Sequence, residues 1–135
     1  MIGILIIAHG SLGESLMHCA CHVMGKTPEQ LQSLAVSIHD DPDEVLPRAQ
    51  AIVAGLNTGD GVLILSDIYG ATPCNIVSRL LTPGTVEGVA GINLPMLVRV
   101  LNYRQEPLNI CIDKAISGGR EGVVHFTERG CNHAL

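Results

Sequence analysis

The chain has 135 residues, of which 47% are hydrophobic, with two Tyr, one Phe and no Trp, and its formal net charge is −5. This length fits one domain, and the acidic balance without any run of Lys or Arg argues against a nucleic-acid-binding surface. Because no segment reaches the ~18 consecutive apolar residues of a membrane span, and the five cysteines lack scaffold-like spacing, we expect a cytoplasmic protein with free thiols.

Short apolar runs and longer stretches with helical spacing alternate along the sequence. In chain order, the sequence predicts a strand at 2–8, a helix at 12–24, a strand at 32–38, a helix at 43–56, a strand at 62–66, a helix at 73–81, a strand at 86–92, and helices at 95–103 and 108–117. The strand runs lack polar alternation, as expected where both faces of a strand are covered. This order predicts a doubly wound α/β fold with a mainly parallel sheet and helices on both faces.

The sequence also makes predictions about the C-terminal residues and about the second helix. Residues 1–126 are predicted to form a single domain, followed by a loosely ordered tail at 127–135. Residues 122–126 are a candidate for a short antiparallel edge strand that pairs within the chain or with a neighbouring chain. Pro47 lies inside the second predicted helix, so this helix is expected to start late or to bend.

Two strand ends carry the side chains that suggest chemistry. His9 follows the first predicted strand, and Asp67 follows the third. In open parallel sheets, ligands bind beyond the carboxyl ends of the strands, so His9 and Asp67 face one crevice if their strands are neighbours. A carboxylate that accepts a hydrogen bond from one ring nitrogen fixes the imidazole tautomer and leaves the other nitrogen free as a nucleophile.

A phosphoryl group on that nitrogen would need hydrogen-bond donors and close backbone approach. Thr72 is predicted as an N-cap and Pro73 as the first helical residue, and the N-terminus of the helix would favour an anion. The residues predicted to contact the phosphoryl group, through backbone N–H groups or through their small size, are Gly10, Gly70, Ala71, Cys74 and Asn75.

Four segments in order give the chain a family resemblance that covers about residues 1–126. They are Ala8-His9-Gly10, Asp67 with the segment at 70–75, the segment at 91–97, and the segment at 119–123. With these segments the chain resembles the EIIA domains of the mannose family of the phosphoenolpyruvate-dependent sugar phosphotransferase system. Relatives often carry a Trp in the loop where this chain has Ile68-Tyr69, a departure that we expect to alter partner contact more than chemistry.

The resemblance implies a phosphoryl carrier with a phosphohistidine intermediate. It implies that His9 accepts the phosphoryl group from phospho-HPr, a small carrier protein, and donates it to a histidine of a separate EIIB protein. It also implies that Asp67 orients His9, that Thr72 hydrogen-bonds the ring or the phosphoryl oxygens, and that no metal or organic cofactor is needed. Relatives are commonly homodimers that exchange a C-terminal strand, which corresponds to residues 123–126 here.

Two other functions stay open at this point. The same phosphorylatable His9 would also suit a regulatory module that does not feed a transporter, because the phosphoryl chemistry is identical. His9 at the end of a first strand is also similar to the metal-binding histidine of small tetrapyrrole metal chelatases. In that case His125 is the candidate second ligand, and the loop that begins at Asp67 has no evident task.

Some further polar residues attract attention but have simpler explanations. His18, Cys21 and His22 share part of one helix face, but structural zinc sites usually take ligands from two separated places and no second cluster is present. The sequence does not decide whether these three bind a metal. Arg99 and Arg104 are expected on a solvated surface, where an acidic partner would meet them.

Overall fold

The computed structural model describes residues 1–70 and 72–127. In this part of the chain the elements are β1 (Gly3–His9), α1 (Leu12–Met24), β2 (Leu31–Val36), α2 (Pro42–Leu56), β3 (Val62–Ser66), α3 (Thr72–Leu80), β4 (Val86–Ala90), α4 (Leu94–Tyr103) and α5 (Leu108–Glu121). Their order confirms the predicted α/β class. The bounds of α1 and β3 agree with the prediction.

The four strands form one parallel sheet in the order β2-β1-β3-β4. Ile4 of β1 lies opposite Leu31 of β2 and Leu63 of β3, and Val62 of β3 lies opposite Val86 of β4. After β1 the chain forms β2 on one side of it and then crosses over to form β3 on its other side. The carboxyl ends of β1 and β3 therefore border the switch point where ligands bind in such sheets.

Helices cover both faces of the sheet and enclose two apolar layers. Ile4 and Ile6 of β1 pack with α1, α4 and α5, whereas Leu5 and Ile7 pack with α2 and α3. All four side chains are fully buried, and each contributes roughly 1.5–3 kcal/mol by leaving water. In the described part of the chain, no helix is long and apolar enough to cross a membrane.

Three helices, α2, α3 and α4, begin one residue earlier than predicted. The helix α2 begins at Pro42, where the side chain of Asp41 caps its N-terminus, and it continues through Pro47. The late start that Pro47 suggested is therefore wrong. The helix α3 begins at Thr72, so Thr72 is its first residue and not its N-cap. Pro73 is tolerated at the second position because the first N–H groups of a helix have no helical partner.

The segment after α5 leaves the domain without forming a strand. Residues 123–127 have no regular structure, and Val123, Val124 and Phe126 are 78%, 63% and 77% exposed. The N–H of Val123 bonds to the carbonyl of Arg120, so the segment departs as an extension of the last turn of α5. Among the described residues, the segment at 122–126 therefore does not pair as a strand with the sheet of its own chain. Pairing with a neighbouring chain and the division at residue 126 stay predictions, since residues 128–135 lie outside those described.

Candidate active site

His9 and Asp67 meet at the carboxyl edge of the sheet. His9 is the last residue of β1, and Asp67 directly follows β3, the neighbouring strand. His9 Nδ1 lies 2.8 Å from Asp67 Oδ2, which also accepts the backbone N–H of His9 at 3.0 Å. The other oxygen, Oδ1, accepts the N–H of Ile68 at 2.9 Å. The structure thus brings together the two side chains that the sequence assigned to one crevice.

Hydrogen bonds keep the Asp67 carboxylate charged. Burial alone raises the pKa of Asp67, but the hydrogen bonds from the His9 backbone, the His9 ring and the Ile68 N–H outweigh it, so the pKa lies below its usual 3.8. A charged carboxylate only accepts hydrogen bonds, so between the two tautomers of the uncharged ring it selects the one with hydrogen on Nδ1 and the lone pair on Nε2. The side chain of His9 is 32% exposed and that of Asp67 only 9%, so a reactant can reach the ring while the carboxylate is shielded.

Two hydrogen bonds from the end of β4 hold the backbone that carries Asp67. The N–H of Gly91 donates to the Asp67 carbonyl at 3.1 Å, and the N–H of Ile92 donates to the Ser66 carbonyl at 3.0 Å. Sequence reasoning did not predict that Gly91 and Ile92 contact the site. The only indication in the sequence was that both residues belong to the segment at 91–97, which carries part of the family resemblance.

Of the predicted phosphoryl-binding residues, Gly10 and Gly70 lie in the loops that follow His9 and Asp67, and Cys74 and Asn75 lie at the start of α3. Gly10 and Gly70 are exposed and have φ of +54° and +91°, a left-handed conformation that favours glycine. Thr72 and Cys74 are half-buried in the first turn of α3, and Asn75 beside them is exposed. The predicted contact at Ala71 lies outside the described residues.

Apolar and acidic side chains surround the edge that carries His9. Leu12 begins α1, Ile38 follows β2, and Ile68 and Tyr69 follow Asp67; these four are 40%, 72%, 60% and 83% exposed. The segment at 40–44, which runs from the loop after β2 into the first turn of α2, adds four carboxylates to the same edge. Exposed apolar side chains at one place mark interaction surfaces, and carboxylates beside them favour a partner with basic residues.

Arg104 is buried, which corrects the expectation that it lies on a solvated surface. It is 6% exposed and lies at the opposite edge of the sheet from His9. Its guanidinium donates to the carbonyls of Ile2 and Gln30 at 2.9 Å each and also to the carbonyl of Glu29. Burial lowers the pKa of Arg104. Arg104 therefore joins the ends of α4, β1 and β2 and does not meet a partner.

The residues that suggested metal binding do not form a cluster. His18 and His22 are exposed on α1, and Cys21 is half-buried. Across residues 1–70 and 72–127, no three His, Cys, Asp or Glu side chains come together in a group that could hold a metal ion. His125, the second ligand that a chelatase would need, is exposed in the segment after α5.

Comparison with known proteins gives similar chains from sugar phosphotransferase systems. The family model described as EIIA-man, PTS system fructose IIA component, matches residues 3–114. The mannose-specific EIIAB component of the PTS system of Escherichia coli strain K12 is 32% identical over 125 residues, which is 90% of this chain. The chain spans 38% of the length of that protein.

Solved structures share the fold. The phosphotransferase system component EIIA of Streptococcus agalactiae matches with a TM-score of 0.81 and 27% identity, over 93% of this chain and 97% of that one. A mannose/sorbose-specific IIA subunit from Enterococcus faecalis has a TM-score of 0.82 at 19% identity, over 93% and 95% of the two chains. At that identity the likeness concerns the fold alone.

Proposed function

The chain belongs to the EIIA-man family of the sugar phosphotransferase system, and on that premise we propose that it is a phosphoryl carrier. His9 accepts a phosphoryl group from phospho-HPr and passes it to a histidine of an EIIB protein, in sugar uptake or its regulation. The supporting observation is the 2.8 Å hydrogen bond between His9 Nδ1 and Asp67 Oδ2. The carrier works in the cytoplasm, where phosphoenolpyruvate supplies the phosphoryl group.

In the proposed reaction, each member of this pair has one role. The Nε2 lone pair of His9 attacks the phosphorus of the donor phosphohistidine, and the donor N–P bond breaks as the new N–P bond forms. His9 keeps the proton on Nδ1, and the charge of Asp67 offsets the positive charge that the ring acquires. Since a protonated ring is a good leaving group, the same arrangement suits onward transfer to EIIB.

The first turn of α3 is the proposed binding site for the phosphoryl oxygens. The hydroxyl of Thr72 and the N–H groups of Cys74 and Asn75 act as donors, and the N-terminus of a helix favours an anion by about 0.3–1 kcal/mol when exposed. Gly10 and Gly70, in the loops that follow His9 and Asp67, allow the backbone to approach the phosphoryl group closely, and the proposed contact includes the small Ala71, the next residue in sequence.

The proposal is tested by phosphorylating the protein in solution. The chain is incubated with phosphoenolpyruvate, enzyme I and cognate HPr, and its intact mass is read before and after acid treatment. A His9→Ala variant removes the proposed acceptor. A His22→Ala variant is the matched control, because His22 is also exposed but lies on α1 outside the site.

An acid-labile gain of one phosphoryl group in the wild type and in His22→Ala, but not in His9→Ala, supports the proposal. The absence of any gain with an HPr that phosphorylates another acceptor overturns it. Transfer from the phosphorylated chain to a purified EIIB protein of the same organism then supports a role in uptake. Failure of that transfer favours the regulatory role.

The proposal includes a homodimer that exchanges residues 123–126. Among the described residues, β4 pairs with β3, and on its other side only its first residue, Val86, is bridged, to Thr82. Val124 and Phe126 are exposed on a segment that makes no strand in its own chain. An unpaired strand edge is a ready template for a strand of another chain. Sedimentation over a range of protein concentrations tests this part of the proposal.

A further inference from the structure

Arg104, directly after α4, is a buried cation that only neutral groups hold in the described part of the chain. It is 6% exposed, and its guanidinium donates to the backbone carbonyls of Ile2, Glu29 and Gln30. Among the described residues, no carboxylate forms an ion pair with it. Charged side chains are rarely buried without an oppositely charged partner, so Arg104 retains a charge that an anion can offset.

The same guanidinium has one N–H group without an acceptor. The Nε atom of Arg104 is buried and has no hydrogen-bond partner within the described residues, although buried side-chain donors are nearly always paired in folded proteins. A carboxylate is the acceptor that suits a guanidinium best, because the planar N–H groups match its two oxygens. One chemical group would therefore supply both the missing charge and the missing acceptor.

A cavity of about 480 Å³ lies beside Arg104 at the amino edge of the sheet. This volume is within the range of small-molecule sites, roughly 300–1,000 Å³. Met24 of α1 and Leu101 of α4 form apolar parts of its wall. Lys26, which follows the end of α1, is an exposed cation on the same wall. The cavity thus offers a carbon surface beside two cationic side chains.

The charges around this cavity suit a singly charged anion. Among the side chains that border it, Lys26 and Arg104 are positive, and the exposed Glu29 is negative, so their sum is one positive charge. A monocarboxylate cancels this sum, whereas a phosphate carries about two negative charges and exceeds it. Lys26 and Gln105 are exposed, and exposed side chains change rotamer readily, so they can move aside and admit an anion to the covered Nε–H.

We propose that this cavity is a binding site for a small organic monocarboxylate. The carboxylate lies between Arg104 and Lys26, and one of its oxygens accepts the Nε–H of Arg104. The carbon part of the ligand packs against Met24 and Leu101. This site lies at the opposite edge of the sheet from His9, and its occupation does not depend on phosphorylation of that residue.

The test titrates the full chain with two carboxylates, isovalerate and phenylacetate, and with two comparison probes, the neutral isovaleramide and inorganic phosphate. NMR spectra follow the Arg104 Nε–H signal, which is identified through its couplings along the side chain. A Lys26→Glu variant reverses one charge at the cavity. Arg48→Glu is the matched control, because Arg48 is also exposed but lies on α2 and does not border the cavity. Arg104 itself is left in place, since its loss would also remove its structural hydrogen bonds.

We expect both carboxylates to shift the Arg104 Nε–H signal saturably, with dissociation constants on the order of 1 mM, as ligands of so few atoms allow. Isovaleramide and phosphate bind about tenfold more weakly or not at all. Lys26→Glu weakens binding of the carboxylates about tenfold, because it places a like charge beside them. Arg48→Glu changes their binding by less than about twofold.

Three results would each overturn the proposal. One is the absence of a saturable shift with either carboxylate at high millimolar concentration. Another is that isovaleramide or phosphate binds as tightly as the carboxylates, since the cavity would then not select a single negative charge. The last is an equal loss of binding in Lys26→Glu and Arg48→Glu, which would show a general effect of charge and not a defined site.

Discussion

At the scale of single residues, the charge of Asp67 determines which nitrogen of His9 can react. An Asp67→Asn substitution keeps the size of the side chain but brings an NH2 group to a site that receives three hydrogen-bond donors. We expect the phosphorylation rate of His9 to fall on the order of a hundredfold or more, as when a histidine loses its orienting carboxylate in hydrolases. The rate is measured beside Asp113→Asn, an exposed position on α5, and a similar loss in both variants would contradict the role of Asp67.

The same carboxylate makes stability depend on pH. Its pKa is lower in the folded chain than its usual 3.8, so the unfolded chain binds the proton more tightly. The stability that Asp67 adds is therefore fully present above pH 3.8 and is lost as pH falls through the lower folded value. Urea unfolding of the wild type and Asp67→Asn is expected to show a difference at pH 6 that shrinks as the pH is lowered below about 4. A difference that grows in acid would refute this assignment.

Arg104 shows a stabilising role without a catalytic one. An Arg104→Met substitution retains an apolar stem but leaves the carbonyls of Ile2, Glu29 and Gln30 without their donor. We expect the free energy of unfolding to fall by roughly 2–4 kcal/mol, because a buried group without its partner costs about 1–3 kcal/mol. Arg48→Met, at an exposed position on α2, is expected to change stability by less than about 0.5 kcal/mol. Urea unfolding of both variants measures the contrast, and equal effects would contradict it.

The sequence could place His9 and Asp67 at the carboxyl edge of the sheet, but that their strands are neighbours is seen only in the structure. Both end buried apolar runs, and neighbouring parallel strands bring such ends together. The burial of Arg104 could not be predicted, since charged side chains are mostly exposed and its three acceptors come from distant parts of the chain. Local patterns thus locate a residue within an element, whereas its partners depend on packing.

At the scale of elements, the packing of α4 against α5 explains why glycines recur near the end of α5. The sequence predicted that α5 ends at 117, directly before two consecutive glycines, a residue type that weakens helices. The helix continues to Glu121, and it packs so closely on α4 that a Cβ at Gly118 or Gly119 would lie 2.9 Å from Arg99 Cβ or 2.8 Å from Met96 Cε. The glycines therefore permit a close contact between helices, which the sequence of α5 alone does not reveal.

Gly122 gives the sharpest test of this contact. A Cβ at Gly122 would lie 2.3 Å from Pro95 Cβ, and its φ of −75° is open to any residue, so only steric overlap opposes a side chain. We expect Gly122→Ala to destabilise the fold by about 1–3 kcal/mol, as overpacking does. Gly55→Ala in α2, where nothing lies within 4 Å, is expected to stabilise by about 0.5–1 kcal/mol. Thermal unfolding of the two variants should shift in opposite directions, and a shift of the same sign would contradict the steric explanation.

At the scale of the whole molecule, chemistry and stability lie at opposite edges of the sheet. The carboxyl edge carries His9, exposed apolar side chains and the carboxylates at 40–44. At the amino edge, Arg104 at the end of α4 donates hydrogen bonds to the carbonyls just before β1 and β2. The parallel sheet produces this division, because every strand ends at the same edge. A single sequence can predict which residues lie at that edge. It cannot predict that β4 is an edge strand, since this depends on the order of the strands in the sheet.

The acidic character of the carboxyl edge predicts a salt effect that only a protein donor should show. With a net charge of −5, and Glu44 at the start of α2 on the His9 edge, association with a basic partner is steered by charge and weakened by salt. We expect the second-order rate of phosphorylation by phospho-HPr to fall about tenfold between low and high salt, while the rate with phosphoramidate, a small-molecule phosphoryl donor, changes little. Glu44→Gln should reduce the salt dependence. Glu106→Gln should not, because Glu106 follows the C-terminal end of α4, away from the edge that carries His9. Equal salt effects with both donors would show that charge at this edge acts on the chemistry of His9 and not on the encounter with its partner.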